Sequence, residues 1–110
     1  MIEQLITLIF ISSAKAPSFE FGFGPFTLFI GSEGRLDCEP DAIPRPTFEW
    51  SKISGNNQGD INAGGRYKLF SNGTLEIASV MQNDEGEYKC KATNVKGSAS
   101  ATADVSVLGK

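Results

Sequence analysis

Four residues constrain this 110-residue chain more than anything else in it: Cys38, Trp50 twelve positions later, Tyr88, and Cys90 two positions after that. Cysteine, tryptophan and a Tyr-x-Cys end at these spacings suit a sandwich of two antiparallel sheets. One cysteine then sits on each sheet, the indole packs against the sulfurs, and the tyrosine pins the corner that leads into the strand carrying the second cysteine. All four positions depend on one another, so chance spacing is a poor explanation. Leu36 and Leu75 fall at inward positions of short alternating runs and complete the expected core.

A chain of this length is one domain, with no room for a catalytic domain beside it. Two cysteines in so small a chain suggest a single bridge and an oxidising compartment. A pair of buried, reduced thiols is the alternative, because Trp50 packs equally well against either. The net charge of −3 and the lack of any basic cluster exclude a nucleic-acid partner, which needs cationic surface to displace counterions. The same lack argues against direct membrane insertion by the domain. There is no histidine, which removes the commonest general base and metal ligand. Glu33, Asp37, Glu39 and Asp41 lie close together but lack calcium-loop spacing, and no glycine-rich phosphate loop opens a helix. No cofactor, no metal and no enzymatic activity are expected.

The first sixteen residues differ from the rest. The apolar run Leu5-Ile6-Thr7-Leu8-Ile9-Phe10-Ile11 is too short to cross a membrane, and Ala14-Lys15-Ala16 follows it. Residues 1–16 therefore read as a secretory signal peptide or unstructured leader cut after Ala16, with an extra strand as the competing reading, and residues 17–110 as the single domain. From Pro17 onward short alternating runs are separated by glycine, proline and asparagine clusters. Strands are expected over residues 18–30 (an edge strand broken at Pro25), 36–39, 47–52, around Tyr67 and Leu69, around Leu75 and Ile77, through Tyr88, Cys90 and Ala92, and from Gly97 to about Leu108. Asn94-Val95-Lys96-Gly97 makes a hairpin between the last two. Residues 54–65 hold four glycines and three asparagines and read as a loop.

With those positions assigned, the chain is identified as a member of the immunoglobulin superfamily and resembles an intermediate-set (I-set) domain of the contactin type. The segment Cys38-Glu39-Pro40-Asp41-Ala42-Ile43-Pro44-Arg45-Pro46-Thr47-Phe48-Glu49-Trp50-Ser51-Lys52 is similar to the contactin pattern C-x-P-x-A-x-P-x-P-x-F-x-W-S-K. Asn72-Gly73-Thr74-Leu75-Glu76-Ile77 and Asn83-Asp84-Glu85-Gly86-Glu87-Tyr88-Lys89-Cys90 resemble the family's next strand and corner, and the match runs over residues 31–107. The phenylalanine-rich entry departs from the family, as does Gly34, which stands where a valine is usual. The resemblance implies an all-β, two-sheet antiparallel Greek-key sandwich. It also implies an extracellular or cell-surface recognition module whose partners are other cell-surface or extracellular proteins and neighbouring immunoglobulin or fibronectin-type domains. An intracellular structural domain of a muscle or cytoskeletal protein is the alternative.

The remaining candidates are few. In domains of this type an arginine at the position of Arg66 meets an aspartate at the position of Asp84 in a structural ion pair across the bottom of the sandwich. Asn72-Gly73-Thr74 is an N-glycosylation sequon if the domain is secreted, and otherwise a turn. Phe19, Phe21 and Phe23, at period two, would share one face of the edge strand and either fill the core next to Gly34 or form an apolar interface.

Overall fold

The computed structural model describes residues 13–20 and 22–109. The apolar run at residues 5–11 and Phe21 lie outside the described residues. Among the described residues ten strands follow in order: β1 (Lys15–Ser18), β2 (Phe26–Phe29), β3 (Gly34–Asp37), β4 (Asp41–Ile43), β5 (Thr47–Ser54), β6 (Asn57–Ile61), β7 (Tyr67–Leu69), β8 (Thr74–Ile77), β9 (Gly86–Asn94) and β10 (Gly97–Leu108). A 3-10 turn, Gln82–Asp84, precedes β9. One sheet runs β2-β10-β9-β5-β6, the second runs β3-β8-β7, and β1 pairs with β4 as a short ribbon. Pairing β3 with β8 and β5 with β9 requires the chain to cross between sheets, which is the Greek-key route. Every pairing is antiparallel except β2 on β10, which is parallel.

Period-two alternation explains which residues meet in the middle. Along β10, Ala103, Val105 and Val107 are buried while Asp104, Ser106 and Leu108 are exposed. Leu36 from β3, Leu75 and Ile77 from β8, and Tyr88, Cys90 and Ala92 from β9 are fully buried. Trp50 lies directly across from Cys90 on the neighbouring strand, and Cys38 and Cys90 are bonded at 2.05 Å between the sulfurs. Each aliphatic side chain so buried stabilises the sandwich by about 1.5–3 kcal/mol relative to leaving it exposed.

Three features differ from the sequence expectations. The stretch expected as a loop over residues 54–65 contains β6, whose residues pair with β5 from Trp50↔Ile61 to Ser54↔Asn57. The turn between them is two residues long, and Gly55 supplies the positive φ of 60° that a II′ turn requires at its first central position. Only Ile61 of this strand is buried, so an edge ladder held by main-chain hydrogen bonds left little apolar pattern to read.

The edge strand expected over residues 18–30 is two strands with an irregular link. The Gly22 N–H donates to the Phe19 carbonyl at 3.2 Å, and Gly22 and Gly24 take positive φ values of 81° and 70°. A side chain at Gly24 would collide with Ala103, its Cβ only 2.5 Å away. The resulting turn cancels the alternation that would have lined up the phenylalanines on one strand face.

The third feature concerns Gly34. It pairs in regular register with Ile77. A Cβ at this position would stand 2.8 Å from Val80 and 3.0 Å from Leu28. Those two buried side chains occupy the volume of the usual valine. Core volume is thus conserved by different residues.

Candidate recognition surface and the frame that holds it

The buried frame meets at the corner before β9. The Asp84 carboxylate accepts two parallel hydrogen bonds from the Arg66 guanidinium, both at 2.9 Å, and a third from the Met81 N–H at 2.7 Å. Asp84 is only 2% exposed, whereas Arg66 keeps about a third of its side chain in solvent. Burial by itself pushes the Asp84 carboxyl upward. The Arg66 hydrogen bonds, the Met81 N–H and the positive charges of Arg66 and Lys52 outweigh it and hold the group below the usual carboxylate range. The Tyr88 hydroxyl donates to the Asp84 carbonyl at 2.6 Å, closing the corner, and burial pushes its phenol well above the ordinary value. These residues hold the fold: the Asp84 carboxylate and the Tyr88 hydroxyl are both paired within the corner.

At the opposite pole Asn94 performs a role that the sequence reading did not assign. Its side-chain amide donates to the carbonyls of Lys15 at 2.8 Å and Pro44 at 3.1 Å, while its oxygen accepts from the Lys96 N–H at 2.9 Å. One asparagine therefore ties β1, the segment after β4 and the β9–β10 hairpin together. Those segments are 50 and 79 residues apart from it in sequence, so no local signal could reveal the tie. The leader boundary expected after Ala16 falls within β1, because Lys15 and Ala16 belong to that strand.

Phe19 and Phe23 are partly buried and pack against the core. The Phe23 ring lies 6.2 Å from Phe19, 5.3 Å from Phe26 and 5.6 Å from Trp50, so the cluster caps the open end of the indole. Phe19 and Phe23 do not share the edge-strand stripe expected of them, because the described residues 19, 20 and 22–25 are not in a strand.

The outer side of the five-stranded sheet carries mainly polar side chains. On that side one row reads Asp60, Ser51, Lys89 and Thr102 across four strands, with Ser51 itself buried, and the next reads Glu49, Lys91 and Ser100 across three. Hydroxyls and alternating charges of this kind suit contact with another protein surface. A depression of ≈ 160 Å³ beside Trp50 falls below the ~300–1,000 Å³ of small-molecule sites. Among the described residues no group of three His, Cys, Asp or Glu side chains could hold a metal ion. Among them, too, no helix is long and apolar enough to cross a membrane.

A bridged two-sheet sandwich with a tyrosine corner defines an immunoglobulin-type domain. The model for the immunoglobulin I-set domain matches residues 17–107, and the chain belongs to that family. Contactin-5 of Gallus gallus is 37% identical over 98 residues, covering 86% of this chain and 9% of its own length. Contactin-1 of Homo sapiens is 35% identical over 91 residues, covering 81% of this chain and 8% of its own length. Neurofascin of Gallus gallus is 41% identical over 73 residues, covering 66% of this chain and 5% of its own length. Among solved structures, a Dscam chain determined to explain isoform specificity superposes with a TM-score of 0.77 at 28% identity, covering 86% of this chain and 25% of that one. The chain thus spans less than a tenth of the contactin and neurofascin relatives, and what it matches throughout is an adhesion-type immunoglobulin domain.

Proposed function

We propose that this chain is a non-catalytic, extracellular protein-recognition module that works in cell adhesion or as part of a cell-surface receptor. The observation that carries the reading is its similarity, across most of its own length, to single domains of contactins and neurofascin. Relatives of that kind, in which this chain matches only a small share, make neighbouring immunoglobulin or fibronectin-type domains natural companions. The Cys38–Cys90 bridge supports an oxidising compartment. The polar outer face of the five-stranded sheet supports a protein partner over a small molecule, and the family and its relatives point away from enzymatic turnover.

The test uses intact cells that make the chain naturally. A membrane-impermeant amine reagent is applied first, and the protein is then mapped by non-reducing mass spectrometry. Labelling of Lys91 or Lys96 together with a Cys38–Cys90 linked peptide is the expected result. Amines protected until the cells are opened, with two alkylatable thiols, would replace this reading with that of an intracellular structural domain.

A further inference from the structure

We infer that Asn72 carries an N-linked glycan whose first sugar packs on the ring of Phe70 and covers the outer face of the three-stranded sheet. Asn72 lies in a tight turn between β7 and β8. The Gly73 N–H donates to the Phe70 carbonyl at 3.0 Å, and the Phe70 N–H donates to the Thr74 carbonyl at 2.9 Å. The Asn72 side-chain oxygen accepts from the Thr74 N–H at 3.1 Å, which fixes the amide and leaves its nitrogen without a hydrogen bond among the described residues. That nitrogen is the atom a glycan would occupy, and Asn72 is exposed.

The surroundings are shaped for a sugar. Phe70 is 43% exposed, a large aromatic on an otherwise charged face. Together with Arg35, Asn72, Thr74 and Glu76 it lines a depression of ≈ 220 Å³, large enough for one pyranose ring. The apolar C–H face of a pyranose suits the electron-rich face of the phenyl ring. Arg35 and Glu76 stand directly opposite each other on β3 and β8, offering a donor and an acceptor to the hydroxyls and acetamido group.

The folded turn also sets when the sugar is added. Thr74 is 5% exposed, and its hydroxyl donates to the Asp37 carboxylate at 2.8 Å. Gly73 is buried at φ +99°, and a Cβ there would sit 2.4 Å from the Cys38 carbonyl. The sequon hydroxyl is therefore withdrawn once β3 and β8 pair, so transfer precedes folding. In that step the Asn72 amide nitrogen attacks the anomeric carbon of a polyprenyl-pyrophosphate-linked oligosaccharide. A C–N bond forms, the C–O bond to phosphate breaks, the pyrophosphate leaves with the electron pair, and the amide loses one proton to the transferase.

The inference rests on the extracellular reading, because this transfer occurs in the secretory lumen. The full chain, directed to the secretory pathway of an animal host by an added signal, is compared with its Phe70→Ala and Phe70→Tyr variants. Occupancy is read at Asn72 by mass spectrometry, and melting is recorded before and after removal of the glycan by an amidase. The enzyme leaves an aspartate, whose oxygen can still accept from the Thr74 N–H. The expected result is an occupied Asn72 and a fall in Tm of roughly 2–6 °C on deglycosylation in the parent and Phe70→Tyr. In Phe70→Ala the fall is expected to vanish. Delaying folding with a reductant in a microsomal translation is expected to raise occupancy. A bridged, secreted protein with bare Asn72 would overturn the site while leaving the extracellular reading intact. An equal Tm change in Phe70→Ala would overturn the packing of sugar on ring.

Discussion

Replacing Arg66 with alanine isolates the corner that closes the sandwich. The substitution removes two charge-assisted hydrogen bonds, each 2.9 Å long, and leaves the Asp84 carboxylate with the Met81 N–H as its remaining donor. Breaking a fully buried pair costs about 3–5 kcal/mol because a charge is left without compensation. Here Arg66 keeps about a third of its side chain in solvent, which screens the pair. The discounted cost is ~2–3 kcal/mol. Unfolding entropy near ~2.1 cal/mol/K per residue turns that into a drop of roughly 9–13 °C in Tm for a domain this size. The assay is thermal unfolding by circular dichroism at pH 7, with Arg66→Lys as a control that keeps the charge but loses the paired geometry. The control is expected to fall in between.

Acidity supplies a second readout from the same variant. In the parent, Asp84 is held below its ordinary value, so its contribution is present above the unfolded pKa near ~3.9 and is lost as pH falls through the folded pKa. Without Arg66 the carboxyl loses its hydrogen bonds to the guanidinium and that group's charge while burial still pushes it up, so its folded pKa rises and less stability is lost on acidification. The gap between variant and parent is therefore expected to be full above about pH 6 and to shrink below about pH 4. A variant that melts within ~2 °C of the parent at pH 7, or a gap independent of pH, would refute this account of the corner.

Three further outcomes follow from the packing. Gly34→Val is expected to destabilise by about 1–3 kcal/mol in denaturant unfolding, since Val80 and Leu28 already fill the space that the new side chain needs. Stabilisation by that change would show the glycine to be a true gap. Tyr88→Phe leaves the Asp84 carbonyl without its 2.6 Å donor inside the core and should cost about 1–2 kcal/mol by the same measurement. Replacing Cys38 and Cys90 with alanine opens a closed loop with a sequence separation of 52, which the chain-entropy model values at about 4 kcal/mol. A loss of under ~1 kcal/mol would show that the chain-entropy value does not apply to this bridge.

The fold was legible because its strongest signals are local. Leu36 with Cys38, Tyr88 with Cys90 and Ala92, and Val105 with Val107 each repeat at period two, and a strand projects such residues to one face whatever lies beyond it. The Arg66–Asp84 pair could be anticipated only through resemblance, because 18 residues separate the partners and nothing in either segment names the other. Residues 57–61 defeated the pattern because an edge strand buries almost nothing, and its Gly-Asn turn was the cue that remained. The phenylalanine cluster defeated it for the opposite reason: alternation was present in the sequence, but two positive-φ glycines broke the strand that would have expressed it.

By itself the sequence determined the class of this protein: a two-sheet sandwich with Trp50 and Tyr88 at its centre. Tertiary structure alone decided which side chains replace the valine absent at Gly34, that Asn94 clasps two distant segments to its own hairpin, and that Phe70 stands half-exposed beside Asn72. The reason is physical. Strand periodicity and turn geometry are carried by neighbours along the chain. Core volume, long-range hydrogen bonds and the exposure of a single ring depend on which segments the closed sandwich brings into contact.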